Sequence, residues 1–190
     1  MKEIIYINDN SILNKVKEIC LNTLKENDYA IDMTIGNGLD TLFLCNTLKK
    51  GKVFGFDIQQ IAIENTTKLL NEHKKKNFQI FLESHENVFK TLQEYQNKIS
   101  IILFNLGYLP KADKSIMTNH KSTLKALQNS FKMLKENGKI LIVCYPHEEG
   151  KKEAEAIKTY LENNNINYKE YRNTTKEFAP FLIVIEDFII

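Results

Sequence analysis

Two carboxylates and a pair of closely spaced glycines give this chain the means to hold a nucleotide. In Asp32-Met33-Thr34-Ile35-Gly36-Asn37-Gly38 an acid and a glycine turn follow a short apolar run and precede an amphipathic one. The whole chain has only 7 Gly, so two in one turn mark a backbone that bends sharply or admits a ligand closely. A second acid, Asp57, ends the next apolar run, Lys52-Val53-Phe54-Gly55-Phe56. An acid about 20 residues past such a turn, at the tip of the second strand, is placed to accept hydrogen bonds from ribose hydroxyls.

The flanking charges narrow the choice of nucleotide. A dinucleotide loop needs a third glycine for close helix packing, and here Gly36-Asn37-Gly38-Leu39-Asp40-Thr41 puts Thr41 in that place. Asp32 and Asp40 would repel a pyrophosphate, which counts against a nicotinamide-dependent oxidoreductase. They would attract a cofactor that carries an ammonium and a sulfonium. S-adenosylmethionine has both, and its ribose suits Asp57. The second half of a methyl-transfer site lies in Asn105-Leu106-Gly107-Tyr108. The Asn side-chain carbonyl and the next backbone carbonyl can accept hydrogen bonds from a substrate nitrogen, aiming its lone pair, while Tyr108 can stack on a planar base. Lys111, Lys114, Lys121 and Lys125 follow that loop, where a polyanion would lie. The four histidines lack metal spacing, and His120 and His147 read equally as capping or catalytic residues.

The elements that must position these groups alternate. Helical spacing runs from Ser11, a candidate N-cap, to about Glu26; then come strand Tyr29 to Met33, helix Leu39 to Leu48, strand Val53 to Asp57, helix Gln60 to about Asn71 and strand Phe78 to Leu82. A helix is expected after Ser84-His85-Glu86, and Ile99 to Phe104 reads as a central strand. Helix Thr118 to Leu134, a stop or turn at Asn137-Gly138, strand Ile140 to Tyr145 and helix Glu148 to Glu162 follow. Two closing strands, about Ile166 to Arg172 and Phe181 to Phe188, are expected to form a hairpin at the sheet edge. The pattern predicts an α/β fold: a mostly parallel seven-stranded sheet with one antiparallel strand near the C-terminus and helices on both faces. It is read as one domain over 1–190, with an N-terminal helical segment over 1–28 and the core over 29–190.

Composition is consistent with that. At 190 residues the chain can bury one core, and no segment reaches the roughly 20 apolar residues a membrane span needs. No export signal is recognised at the amino terminus. Cys20, Cys45 and Cys144 fit reduced core thiols and a cytoplasmic setting better than disulfides or a zinc site. A net charge of +2 with Arg172 as the only arginine leaves phosphate contacts mainly to lysine. With so little net charge, a homodimer or a lysine-lined groove is one way to hold RNA.

Taken together, Asp32-x-Thr34-x-Gly36-Asn37-Gly38-x-Asp40-Thr41, Asp57, Ser84-His85-Glu86, Asn105-Leu106-Gly107-Tyr108-Leu109-Pro110 and Asp113-Lys114 resemble the YtqB/MnmM family, once labelled rRNA methylases. The resemblance covers most of the chain and implies a Rossmann-like class I methyltransferase. It also implies methylation of the aminomethyl group of 5-aminomethyl-2-thiouridine at the tRNA wobble position, with the anticodon stem-loop as partner. By it, Asp32, Thr34, Gly36, Asn37, Gly38, Asp40 and Thr41 hold the methionine end of S-adenosylmethionine, and Asp57 and Gln59 the ribose and adenine side. Ser84 and His85 lie near the adenine, and Asn105, Leu106 and Tyr108 present the amine. Asp113 or His147 is a candidate proton acceptor beside water, and Tyr108, Lys114 and His147 are candidate substrate contacts. The chain departs from the family pattern on the substrate side, at Lys111-Ala112 and in the Tyr145-Pro146-His147-Glu148-Glu149-Gly150 turn. The alternatives are a methyltransferase acting on rRNA or a small-molecule amine and, from another class, a noncatalytic RNA-binding or cofactor-sensing domain.

Overall fold

The computed structural model describes residues 2–7, 12–107, 119–174 and 179–186. Its strands are β1 (Lys2–Ile7), β2 (Tyr29–Asp32), β3 (Lys52–Asp57), β4 (Phe78–Leu82), β5 (Ile99–Asn105), β6 (Leu134–Cys144), β7 (Tyr168–Asn173) and β8 (Phe181–Ile185). The helices are α1 (Ile12–Thr23), α2 (Leu39–Thr47), α3 (Gln60–Glu72), α4 (Val88–Thr91), α5 (His120–Met133) and α6 (Glu148–Asn163). One sheet joins all eight strands in the order β1-β7-β8-β6-β5-β2-β3-β4. Only β8 is reversed, running antiparallel to both β6 and β7.

Four expectations are corrected here. The sheet has eight strands, because Lys2–Ile7 pairs parallel with β7, Lys2 opposite Tyr168 and Ile7 opposite Asn173. The hairpin of β7 and β8 is therefore inside the sheet, with β1 at the edge. The Asn137-Gly138 turn is a bulge within β6. Ile99 faces Leu134 whereas Ile101 faces Lys139, so residues 135–138 stand against Ser100 alone, and Asn137 takes a positive φ of 62° to make the bend. The expected helix after Ser84 is a 3-10 turn, His85–Asn87, followed by the single turn of α4.

Alternation along the central strands sends side chains into two cores. On one face Ile31, Phe54, Phe56, Phe104, Ile140 and Ile142 meet Val88, Leu127, Phe131, Ile157 and Leu161 of α4, α5 and α6. On the other Ala30, Val53, Ile101, Leu103, Leu141 and Val143 meet Val16, Cys20, Leu44 and Leu70 of α1, α2 and α3. β5 is buried on both faces, which explains its nearly unbroken apolar run. All three cysteines are free and buried, and burial pushes the Cys20 and Cys45 thiols up to about 12, as inert core groups. No helix among the described residues is long and apolar enough to cross a membrane.

Candidate active site

Strand order reverses between β2 and β5, and a cavity of about 1000 Å³ lies there. Its wall is made by residues just past the carboxyl ends of five parallel strands: Met33 to Asn37, Asp57 to Gln59, Glu83 to Glu86, Asn105 to Gly107 and Tyr145 to His147. Leu39 and Asp40 of α2, Leu13 and Lys17 of α1, and Asn119 and Ser122 at the start of α5 complete it.

The glycine loop is held from beneath. Gly38 sits at the N-cap of α2 with φ 81°, and a Cβ there would come within 2.8 Å of Thr66 Oγ1, so this turn packs directly on α3. Gly55 lets the loop lie across β3, since a Cβ on it would strike Ile35 at 2.6 Å. Asp57 ties the two together: Oδ2 accepts from the Gly36 N–H at 3.1 Å and Oδ1 from the Gln59 N–H at 3.0 Å. Asp32 is 1% exposed, and its two oxygens accept from the Thr34 N–H (3.2 Å) and the Thr41 hydroxyl (2.7 Å). Burial first, then the charges of Asp40 and Asp57, push its carboxyl up to about 7 against those hydrogen bonds. Burial likewise raises Asp57, opposed by its backbone donors.

On the facing wall, the Asn105 N–H donates to Thr34 Oγ1 at 2.8 Å, and Asn105 Nδ2 donates to Asp40 Oδ2 at 3.2 Å. Burial, then Asp40, raises the Tyr145 phenol against a hydrogen bond with the Asn105 side chain. His147 caps α6, with Nδ1 accepting from the Gly150 N–H at 2.9 Å. An imidazole whose Nδ1 accepts carries its proton on Nε2 when neutral, so in this state His147 has no lone pair for a substrate proton. The expectation of His147 as a base is corrected accordingly: it shapes the wall. Ser84 caps the 3-10 turn. His85 is almost fully buried, its ring edge-on to Phe104, and burial pushes its imidazole down to about 4 against a hydrogen bond to the Met33 backbone.

The structure brings Thr34, Gly36, Asn37, Asp40, Asp57, Gln59, Ser84, His85, Asn105, Leu106 and His147 to one cavity wall. Asp32, Gly38 and Thr41 are not part of that wall. Asp32 and Thr41 are buried partners that brace the loop, because Asp32 accepts from both the Thr34 N–H and the Thr41 hydroxyl. Tyr108, Asp113 and Lys114 lie outside the described residues, as does the candidate N-cap Ser11. Sequence reasoning missed Leu13, Lys17, Ile58, Glu83, Asn119 and Ser122 as wall residues. Only Asn119 carried a local signal: its Oδ1 accepts from the Lys121 and Ser122 N–H groups as the N-cap of α5.

Residues 53–186 match the family model described as "Putative rRNA methylase". The chain belongs to this family. Among curated relatives, this family member is 34% identical over 148 residues to the chloroplastic tRNA (mnm(5)s(2)U34)-methyltransferase of Arabidopsis thaliana, a match covering 72% of the chain and 54% of the relative. It is 29% identical over 175 residues to ribosomal RNA small subunit methyltransferase H of Mycoplasmopsis synoviae, covering 84% of the chain and 55% of the relative. The chain thus spans about half the length of these curated relatives. A solved Clostridium thermocellum protein of the same description as the family has a TM-score of 0.87 at 31% identity, covering 95% of this chain and 99% of the other. SMU.1697c of Streptococcus mutans, solved in complex with SAH, gives 0.82 at 30% identity, covering 93% and 98%. These bear out the methyltransferase family, the Rossmann-like fold and S-adenosylmethionine as cofactor. The cavity fits that group on its own terms: the carboxyl groups of Asp57, Glu83 and Glu86 line it and suit a cofactor that carries positive charge.

Proposed function

We propose that this family member N-methylates the aminomethyl group of 5-aminomethyl-2-thiouridine at the wobble position of tRNA, in the cytoplasm, by gripping the anticodon stem-loop. One observation carries the reading: Asn105 lies in the same cavity as the glycine loop and Asp57, its backbone and amide each held by a hydrogen bond. S-adenosylmethionine supplies the transferable methyl group on a cationic sulfur. The Asp57 carboxylate accepts from the Gly36, Gln59 and Ile58 N–H groups and keeps a lone-pair site for a ribose hydroxyl. The Asn105 and Leu106 carbonyls receive the substrate N–H groups, which aligns the nitrogen lone pair. An aliphatic ammonium must first lose a proton; the acceptor is water or Asp113, since His147 is committed to its cap. Among the described residues Lys17 is the only lysine or arginine lining the cavity, and it is assigned to the RNA backbone at the mouth.

The test is transfer of labelled methyl to tRNA from a strain lacking the gene, followed by nucleoside mass analysis. Methylated aminomethyl-thiouridine supports the reading, and label in other nucleosides or none refutes it. Methylation of ribosomal RNA is the second reading, favoured by the family description and the Mycoplasmopsis relative. The same assay on ribosomal RNA decides it.

A further inference from the structure

We propose that Asp40 is a positioning residue that acts through Asn105: its carboxylate fixes the Asn105 amide so that the carbonyl end, and not the amino end, meets the substrate amine. This rests on the amine-methylation reading above. The two ends of an asparagine amide are nearly the same size, so packing alone does not choose between them. Hydrogen bonding does. Asp40 Oδ2 accepts from Asn105 Nδ2 at 3.2 Å, and an ionised carboxylate has no proton to give, so turning the amide over would set oxygen against oxygen.

The surroundings leave the side chain little other freedom. The Asn105 N–H is fixed to Thr34 Oγ1 at 2.8 Å, and Leu106 N–H to the Val143 carbonyl at 3.0 Å, so the end of β5 is tied on both sides. Asp40 is itself set in the first turn of α2, two residues after Gly38.

The chemical consequence is specific. A nucleophilic amine must give an N–H to its positioning group and keep its lone pair for the methyl carbon. A carbonyl oxygen accepts that N–H. An amide NH₂ in the same place would instead donate to the lone pair and occupy it. By this account Asp40 contributes to alignment of the nucleophile, although sequence reading placed it with the cofactor's methionine end.

Three measurements on Asp40→Ala and Asp40→Asn test this. First, the Asn105 side-chain ¹⁵N–¹H signals of the substrate-free protein, assigned by their loss in Asn105→Asp, are expected to exchange more slowly with water in the native protein than in Asp40→Ala. Second, kcat on the undermethylated tRNA should fall about 10- to 100-fold in Asp40→Ala, the loss of one hydrogen bond to a charged group. Asp40→Asn can turn its own amide and donate as well as accept, so it no longer selects the orientation and should recover only a minor part of that. Third, SAH affinity by calorimetry should change less than about threefold in both variants, well below the loss of a charged contact. Parallel loss of SAH affinity and kcat would make Asp40 a cofactor ligand and overturn the proposal. So would an Asn variant as active as the native protein, or unchanged Asn105 exchange in Asp40→Ala. If the native protein leaves this tRNA unmethylated, the substrate reading fails, and the Asn105 exchange comparison still decides whether Asp40 holds the amide.

Discussion

Replacing Asp32 by asparagine should remove a pH dependence of stability opposite in sign to that of an ordinary paired carboxylate. The folded carboxyl is pushed up to about 7 from 3.8, chiefly by burial. The folded protein then keeps a proton that the unfolded chain has already released, so this group's contribution to stability falls as pH rises from about 4 and levels off above about 7. About three pKa units at ~1.4 kcal/mol each give roughly 4 kcal/mol over the full range. Roughly 1.5 kcal/mol of this is lost by pH 5, which leaves about 2 to 3 kcal/mol to be lost between pH 5 and pH 8. The substituted amide cannot ionise, and its carbonyl can still accept from the Thr34 N–H as the Asp32 carboxylate does. In urea titrations followed by circular dichroism, without ligand, the stability of Asp32→Asn relative to the native protein should therefore rise by about 2 to 3 kcal/mol from pH 5 to pH 8. Groups that titrate in both proteins cancel in this difference. A difference that stays flat across that range would mean that Asp32 ionises like an exposed acid and that the account of the buried charge is wrong.

Asp57→Ala should weaken SAH binding by about 1 to 3 kcal/mol in calorimetry, through loss of a carboxylate that also anchors the Gly36 N–H. Gly38→Ala should destabilise the fold by about 1 to 3 kcal/mol in urea, because alanine at φ 81° is strained and its Cβ meets Thr66. An unchanged midpoint would show that the loop has room to move. Lys17→Ala should lower tRNA affinity and reduce the slope of log affinity against log salt by about one, read by filter binding at several salt concentrations. Asp113→Asn distinguishes the proton acceptors: an alkaline rise in methyl transfer that persists unchanged in this variant assigns the proton to water.

Much of the frame was legible because the central strands speak plainly. Ile99 to Phe104 is apolar at every position but Ser100 since β5 is covered on both faces, and the acids at strand ends announce themselves by interrupting apolar runs. β1 was not legible: its side chains are mostly exposed, so Lys2-Glu3-Ile4-Ile5-Tyr6-Ile7 lacks the buried pattern that marks its neighbours. Its isoleucines and tyrosine were the available hint. The bulge in β6 was hidden for a related reason, since Asn-Gly signals a turn without saying whether a strand resumes in register. Within the site, residues adjacent to motifs were readable. Lys17 and Ser122 were not, because they reach the cavity from helices whose own periodicity says only which face is buried. Asp32 and Asp40 were singled out as acids, but only packing separates a buried brace from a residue on the wall.

The pairing of β1 with β7 also bears on how the chain acquires its structure. The neighbours β2 and β3 are joined through a single helix, so they meet after closing a short loop, whereas Lys2 finds Tyr168 only across nearly the whole chain. Loop closure on that scale costs entropy before any contact repays it, and non-local pairings of this kind slow folding. On a ribosome, β1 emerges well before β7 and docks late, so its isoleucines pass most of synthesis without a partner strand. The cofactor loop, by contrast, depends on β2, β3 and α3 and can take shape while the other edge of the sheet is still being made.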